Sequence, residues 1–476
     1  MPDQENKILQ GLYDTLFSAI TYSPGSSQPS AFDPTRTLIQ FSKLEAIRAD
    51  DFANQLAPNN PKGNYNTAYN FFALADTAPP LTPTYEPTTG QVSQIFSQIV
   101  NGANTDAQVD PAQQKTYDEN FAYLNQNITL PPPPPGNDAP GPITGPTPIA
   151  QAYDTNQTAY IAAVSTYRLT MNSYDLTTPE GQSQWNAKEP VLGNAITQAW
   201  NKWIQGGKAN VEIAQNALAA TINNIISAAI AGAQQAVSPA NQLSAGSNKF
   251  FMTYPLPSDW ANPNGSSGAT QFTYNSAVEN SSSDSDANTY GGGGSFGAGL
   301  WSVGGSYNHS DSSTQSHFDG TWVKISATMT LVRIMRPWLN SLLFSIQGWW
   351  LTGQAENSIS DGQLDEANAK AMLPVIPTAF VVMNNVQITS DFSTKDESHI
   401  ASATSGSASV GWGPFSISAS YSHSESHDRQ TATYANGTIT IPGMQIVAWV
   451  NEIMPASPSM TAPKKASENI ISDTRR

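Results

Sequence analysis

The sequence predicts a multi-domain α+β protein with a mainly helical N-terminal half and a β-rich C-terminal half. Apolar residues recur at helical spacing up to about residue 245 and alternate with polar residues along short segments after it. The β-rich half also contains an internal duplication, because SFGAGLWSVGGSYNHSDS from Ser295 is written again as SVGWGPFSISASYSHSES from Ser409. We therefore expect a long Ser/Gly-rich β-hairpin that occurs twice.

The first predicted unit, residues 1–129, is helical and irregular. It opens with an amphipathic helix over residues 4–22, whose apolar positions recur at four-residue steps. These positions are Ile8, Leu12, Leu16 and Ile20. Five consecutive prolines after Leu130 then force an extended polyproline conformation. We interpret residues 130–148 as a Pro-rich spacer between two helical parts.

For residues 149–245 we predict a helical hairpin region with a break at Gly206 and Gly207. Between Glu212 and Lys249 the chain has no charged residue, and apolar residues mark one helix face. That face consists of Ile213, Leu218, Ile222, Ile225, Ile226 and Ile230. One interpretation is an Ala-rich helix packed inside a bundle, which the Asn and Gln content favours. The other is a helix that lies on or enters a bilayer.

The β-rich half is predicted to contain two repeats that share one order of features. Each repeat begins with a strand, passes through a stretch rich in Ser, Asp, Asn and Gly, and reaches the duplicated motif. Each then closes with Gly-Thr and a long apolar strand. The predicted units are a first repeat at 246–338, connecting helices at 339–376, a second repeat at 377–456 and a disordered tail at 457–476.

Within the duplicated motif, apolar and hydroxyl side chains alternate, so each hairpin has one apolar face and one serine-rich face. Gly411 to Pro414 supply the turn residues of the second copy. In lipid, strands are tolerated only in a closed barrel with an apolar outside and a polar lumen. The residues predicted to face the membrane are Phe296, Trp301, Val303, Tyr307, Val410, Trp412, Phe415, Ile417, Ala419 and Tyr421.

Composition restricts the function classes. Of the 476 residues, 39% are hydrophobic and only 12% are charged, and the formal net charge is −16. With no basic stripe to neutralise phosphates, nucleic-acid binding is not expected. Adhesion to an anionic membrane would have to overcome repulsion. The absence of cysteine excludes disulfides, cysteine-ligated metals and thiol nucleophiles.

The N-terminus carries acidic residues and no continuous apolar stretch, so we expect no signal peptide. No run of 18 apolar residues predicts a membrane-spanning helix. We expect a protein made in soluble form, either cytoplasmic or released by a non-classical route to reach the membrane of another cell.

The favoured function is that of a soluble, toxin-like protein that oligomerises and inserts paired β-hairpins into a target membrane to form a pore. Its expected partners are a lipid membrane and further copies of itself, with no receptor indicated. The alternative is a non-enzymatic β-sandwich that binds a glycan or protein, or that builds a larger particle. Exposed aromatic side chains at Trp301 or Trp412 would favour the alternative.

The arrangement is similar, at the level of architecture only, to that of perforin-like proteins and cholesterol-dependent cytolysins. Members of those families carry two insertable segments, each between two strands of one central sheet. The perforin-type signature of Tyr-Gly-Thr-His followed by a Gly pair is missing, since Ser316 to Thr321 reads SHFDGT. No residue role is therefore carried over from either family.

All five histidines lie within or beside the duplicated segments. Three hypotheses apply to them: a solvated hairpin edge, a pH switch or a metal site. The predicted switch residues are His309, His317, His423, Glu425 and His427. No nucleophile elbow, phosphate-binding loop or zinc-protease motif occurs, so neither catalysis nor a cofactor or metal is predicted.

Overall fold

A computed structural model describes residues 2–461 apart from 26–27, 43, 83–84, 86–89, 134, 136–140, 142, 263–264, 279–298, 305–313, 366, 406–407, 423 and 425–427. The described residues contain nine α-helices: α1 (Pro2–Thr21), α2 (Tyr65–Ala75), α3 (Val92–Gly102), α4 (Pro111–Leu124), α5 (Pro148–Asn172), α6 (Pro179–Gln205), α7 (Lys208–Thr221), α8 (Ile226–Ala236) and α9 (Thr394–Thr404).

Short strands dominate the rest of the described chain. Up to residue 250 they are β1 (Thr37–Phe41), β2 (Ala46–Ile47), β3 (Ala103–Asn104), β4 (Asn125–Ile128), β5 (Ile143–Pro146), β6 (Leu243–Ala245) and β7 (Asn248–Phe250). They continue as β8 (Tyr254–Leu256), β9 (Ala269–Asn275), β10 (Trp301–Gly304), β11 (Thr314–Ser316), β12 (Val323–Met335), β13 (Trp350–Leu351) and β14 (Val375–Ser390). The last are β15 (Ser409–Trp412), β16 (Phe415–Ser420), β17 (Arg429–Thr431), β18 (Thr433–Ala435), β19 (Thr438–Ile441) and β20 (Met444–Ile453).

A nine-stranded antiparallel sheet, here called the large sheet, forms the centre of the molecule. The long strands β12 and β14 pair along most of their length. On the edge that faces away from β14, β12 pairs with β8 and β9 at different positions along its length. On the edge that faces away from β12, β14 likewise pairs with β19 and β20. Outside these, β1 and β2 pair with β20, and β18 pairs with β19. The many Val, Ile and Thr residues of β12 and β14 suit such a pleated, buried surface.

Five further strands form a second antiparallel sheet, here called the small sheet, in the order β11-β10-β15-β16-β17. Its apolar side chains belong to the same hydrophobic core as α1 and one face of the large sheet. This core includes Leu12 and Leu16 of α1, Ile325 and Ile388 of the large sheet and Ile417 of the small sheet. The small sheet is therefore packed on the body of the protein by buried apolar area.

The opposite face of the large sheet has its own core. Phe380, Val382 and Trp449 project from β14 and β20 into a cluster with Phe71 of α2 and Trp260. Trp260 contacts Phe380 edge to face, with ring centroids 5.3 Å apart. Successive side chains of a strand point to opposite faces, so β14 supplies both cores. Burial on both faces explains why this strand reads as a nearly continuous apolar run.

The α+β class is confirmed, but the predicted division into two halves is too simple. Helix α9 lies inside the second predicted β repeat, and β1 and β2 from the N-terminal region pair with β20. Local periodicity cannot predict contacts between residues this far apart in the chain. The predicted duplication of a long hairpin is not shown by the described residues, because the second copy forms a short hairpin and most of the first copy lies outside them. The remaining domain boundaries stay predictions.

The α1 helix and the break at Gly206 and Gly207 are as expected. Gly207 has φ of +92°, a conformation that favours glycine, and it separates α6 from α7. The connecting helices predicted for 339–376 are wrong for the described part of that range. It contains the 3₁₀ turns Ser341–Ser345 and Asn368–Lys370 and strand β13, with three glycines at positive φ, namely Gly348, Gly353 and Gly362.

The uncharged stretch after Glu212 folds as α7, a 3₁₀ turn and α8. Ile226 and Ile230 of α8 are buried together with Val100 of α3, whereas Ile213 of α7 is 65% exposed and does not join that face. Among the described residues, length and hydropathy qualify no individual helix as a membrane span. The pair Lys208–Asn224 and Ile226–Ala236 qualifies only when taken together, and it is bent by 113°.

Candidate functional site in the two Ser/Gly-rich segments

Both duplicated motifs lie in chain segments that leave the same end of the large sheet. Segment I, residues 276–322, connects β9 to β12, and segment II, residues 391–437, connects β14 to β19. The four strands lie side by side in the order β9-β12-β14-β19. Their outermost Cα partners are Asn275 with Lys324, Val323 with Ser390, and Thr389 with Thr438.

The two segments have the same length. Segment I (276–322) and segment II (391–437) each contain 47 residues. Two equal excursions from adjacent strands at one end of a sheet are a specific topological feature. Neither equal length nor a common exit follows from local sequence patterning, because both depend on which strands pair.

The segments meet each other in the small sheet. Strand β10 of segment I pairs with β15 of segment II, so that Trp301 faces Trp412 and Val303 faces Val410. Gly413 donates a backbone hydrogen bond to the carbonyl oxygen of Leu300 at 2.8 Å. The duplicated motifs, which are far apart in sequence, are therefore direct neighbours in this state.

The structure places most of the residues predicted to face a membrane in the protein core. Six of them are at most 2% exposed: Trp301, Val410, Trp412, Phe415, Ile417 and Ala419. Val303 and Tyr421 are half-buried, and Phe296 and Tyr307 lie outside the described residues. Burial of both tryptophans means that they do not offer the exposed aromatic surface expected of the binding-module alternative.

Glu5 of α1 holds the inner part of segment I at two points. Its side chain is 3% exposed, and Oε1 accepts hydrogen bonds from the backbone N–H groups of Leu300 at 3.0 Å and Phe318 at 2.6 Å. Its other oxygen lies 2.8 Å from Nδ1 of His317. A carboxylate with these partners fixes residues 300 and 318 to the N-terminal helix.

Sequence reasoning missed Glu5, although a signal existed. Glu5 precedes Ile8, Leu9 and Leu12 on the apolar side of α1, and a carboxylate in that position calls for buried partners. Of the predicted pH-switch residues, the structure describes only His317, which contacts Glu5 and has a half-exposed side chain. The others, His309, His423, Glu425 and His427, lie outside the described residues.

Helix α9 contributes a second polar contact to segment I. The Trp301 Nε1–H donates to Asp396 at 2.7 Å, and the Trp301 ring stacks on His399 with centroids 5.3 Å apart. His399 Nε2 lies 2.8 Å from the Ser316 hydroxyl. Burial lowers the pKa of His399, an effect that the nearby Asp396 carboxylate opposes. This histidine was not among the predicted switch residues.

The Ser316–His399 contact does not extend into a catalytic triad. Asp396 Oδ1 accepts from Trp301, and Oδ2 accepts from the backbone and hydroxyl of Ser393 in the capping box of α9. The carboxylate therefore caps a helix and orients a tryptophan. Across the described part of the chain, no group of three or more His, Asp or Glu side chains is arranged to hold a metal ion.

The serine-rich face of β16 is buried against polar side chains. Ser416 and Ser418 are 0% exposed, and their hydroxyl oxygens have no hydrogen-bond partner among the described protein atoms. Backbone groups of Ser416 bond to Gln445 of the large sheet at 2.6 Å and to Gln430 of β17 at 3.0 Å. Each of these two glutamines also keeps one amide atom without a partner among those atoms.

Unsatisfied buried hydroxyls make this packing costly. A buried polar group without a partner costs about 1–3 kcal/mol, and Ser422, two residues after the end of β16, adds a third such hydroxyl. Native interiors contain few of these groups, and a cluster of them calls for an explanation. The serine face thus lies where no described protein atom bonds to its hydroxyls.

Comparison with known proteins gives no family assignment: no family model, no curated protein and no solved structure matches the chain.

Proposed function

We propose that the protein inserts segments I and II into a target membrane as two β-hairpins, and that several copies together close a barrel-shaped pore. The observation that carries this proposal is the common exit of two equal 47-residue segments from adjacent strands of one sheet. If each segment straightened, its two arms would extend the strands from which it leaves. The arms would thereby satisfy their backbone hydrogen bonds, as a membrane requires.

The length of the segments suits this role. Crossing a bilayer takes about 9–11 residues per strand, so a hairpin uses roughly 20 residues. A 47-residue segment supplies that hairpin and about as much chain again to span the distance between the sheet and the membrane. Under this proposal the duplication has a reason, since each copy provides one hairpin of a four-stranded contribution.

The buried serine face supports the proposal from another direction. In a barrel wall the hydroxyls of Ser416, Ser418 and Ser422 would line the aqueous lumen and bond to water. The same hydroxyls have no hydrogen-bond partner among the described protein atoms. Straightening therefore recovers hydrogen bonds, which favours the inserted state, while the apolar face exchanges the protein core for lipid and stays out of water.

Release of a trapped dye from liposomes tests the proposal, with neutral and anionic lipids at about pH 7.4 and at about pH 5.5, where histidines charge. Because the chain has no cysteine, single introduced cysteines can carry an environment-sensitive fluorophore. Ser420→Cys and Tyr421→Cys are adjacent sites on opposite faces of segment II. Gln198→Cys, on the exposed surface of α6, is the control.

We expect wild-type protein to release dye, and the label at position 421 to report lipid while the labels at 420 and 198 report water. Absence of release under every condition would contradict the proposal. Release without any change at position 421 would also contradict it, because another element would then form the pore. Aspartate at Ile417 is unsuitable as a test, since this side chain is 0% exposed and the variant would lose its core.

A further inference from the structure

The small sheet and the large sheet share one strand register. In the large sheet Val323 of β12 faces Ser390 of β14. Counting 20 residues along the chain away from the large sheet leads from Val323 back to Val303 and from Ser390 forward to Val410. Val303 and Val410 are Cα partners in the small sheet. The stretches that separate the two sheets, 305–322 and 391–408, are therefore equal in length.

A second pair of strands repeats the coincidence independently. In the large sheet Thr389 of β14 faces Thr438 of β19. Moving outward by 23 residues on each strand leads to Trp412 and Phe415, which are Cα partners in the hairpin β15–β16. The turn at Gly413 and Pro414 is then the tip of a hairpin that begins in the large sheet.

The pairing of β10 with β11 does not follow this rule. At present Val303 faces Thr314. Continued from Asn275 and Lys324, the register of β9 and β12 would instead place Val303 opposite Phe296. The β10–β11 pairing must therefore break if the strands become continuous, whereas the β10–β15 pairs and the pair of Trp412 with Phe415 can persist. Val410 now faces Ser418 across a register shift in β15–β16, and in the straight ladder it would move by one residue to face Ile417.

The shared register also determines on which face of the extended strands each side chain would lie. Directly opposite partners point to the same face of a sheet, and alternate residues of a strand share a face. Extended in this register, all ten residues predicted to face the membrane fall on one face of four continuous strands. The serines at 416, 418, 420 and 422 fall on the other face.

The depth of this apolar face approaches that of a membrane. It reaches from the tips at Leu300 and Pro414 back to Tyr307 and Tyr421, which is eight residues on each returning arm. At about 3.3 Å per residue this is roughly 26 Å of strand, or about 20 Å along the membrane normal at a barrel tilt of about 40°. About two more residues per strand complete the apolar band of about 25 Å.

We infer that the inserted state is a straight, in-register continuation of β9, β12, β14 and β19 through the two segments, an inference that rests on the proposed function. In this state Val303 remains paired with Val410, and Trp412 remains paired with Phe415. The β10–β11 pairing is lost, and α9 becomes part of an extended arm. The small sheet is thus a preformed tip of the final ladder.

Two double-cysteine variants test the inference, and both contain the substitution Val303→Cys. The pair V303C/V410C joins residues that face each other both now and in the straight ladder, whereas V303C/T314C joins residues that face each other only now. Cα partners on antiparallel strands lie about 4.5–5.5 Å apart, within the range that a disulfide bridges. The cysteine-free chain makes each introduced pair the sole thiols.

We expect oxidised V303C/V410C to release dye within about twofold of wild type, and oxidised V303C/T314C to release it at least about tenfold more slowly. Reduction should restore release by V303C/T314C, and this recovery controls for misfolding. If that variant stays inactive when reduced, S302C/Q315C replaces it as the lock and G304C/S409C serves as its shared-register counterpart.

The outcomes separate the inference from the function. Dye release by wild type together with a block by both oxidised pairs would overturn the shared register and leave the proposed function standing. Release by oxidised V303C/T314C would also overturn the inference, because the β10–β11 pairing would then survive insertion. Absence of dye release by wild type would contradict the proposed function, and the inference would fall because it rests on that function.

Discussion

At the residue scale, Glu45 shows how folding changes the chemistry of a side chain. It is 2% exposed and accepts hydrogen bonds from the Ser42 hydroxyl and from Trp449 Nε1 at 3.1 Å. Burial raises its pKa from 4.5 to about 7, and the two hydrogen bonds offset part of that shift. Glu45 precedes β2, whose Ala46 accepts a backbone hydrogen bond from Ser422 of segment II.

The raised pKa of Glu45 predicts that the free energy of unfolding falls as the pH rises. Because its folded pKa lies above its unfolded value, the stabilisation from the protonated group is complete below about pH 4.5. That stabilisation is lost as the pH rises to about 7. Glu45→Gln stays uncharged, so its free energy of unfolding should exceed that of wild type at pH 8 by an amount on the order of 3 kcal/mol.

Urea unfolding of both proteins between about pH 4.5 and pH 8 measures this difference. The two curves should nearly coincide at the acidic end and separate steadily towards pH 7. Curves that run parallel across the whole range would show that Glu45 ionises normally in the folded protein.

At the element scale, β16 is unusual because both of its faces are buried over most of its length. The residues from Phe415 to Ala419 are all buried, and Ser420 is the first exposed position. A sandwich strand with one wet face would expose Ser416 and Ser418 as well. Burial of this strand therefore leaves the hydroxyls of Ser416 and Ser418 without a hydrogen-bond partner among the described protein atoms, which lowers the stability of the folded protein.

Replacing these hydroxyls gives a direct test at this scale. Ser418→Ala removes a buried hydroxyl without a described partner, so the free energy of unfolding should stay unchanged or rise by about 1 kcal/mol. Ser420→Ala, on the same face of the same strand but exposed, should change it by less than about 0.5 kcal/mol. Chemical denaturation of both variants provides the measurement. A loss of more than about 1 kcal/mol at Ser418 would reveal a hidden partner, such as a buried water.

At the scale of the whole molecule, the net charge of −16 makes a prediction for the proposed contact with a membrane. Segment I is itself acidic, with Asp and Glu at five positions and no Lys or Arg. Anionic lipids should therefore slow the first contact, and salt should weaken this repulsion.

We expect dye release at pH 7 and low salt to be about tenfold faster from neutral than from anionic liposomes. The ratio should fall to about twofold in roughly 0.5 M salt, where the Debye length is about 4 Å. Initial rates over a salt series at fixed protein concentration provide the comparison. Faster release from anionic vesicles at low salt would contradict the argument and would point to a local basic contact.

The sequence by itself determined the α+β class, the amphipathic helix α1 and the break at Gly207. These features depend on residues a few positions apart, whose periodicity and turn chemistry are local. The ten residues singled out for one apolar face also came from alternation alone. Six of them are buried in the described structure because alternation identifies an apolar face without identifying what covers it.

Only the tertiary structure decided which strands pair, where the segments leave the sheet and what holds them. The contact of Glu5 with Leu300 spans 295 positions, and Gln445 reaches Ser416 from another sheet. Pairings at such separations are set by the balance of chain entropy, buried area and hydrogen bonding over the whole fold. For the same reason, the shared register of the two sheets became visible only once the strand partners were known.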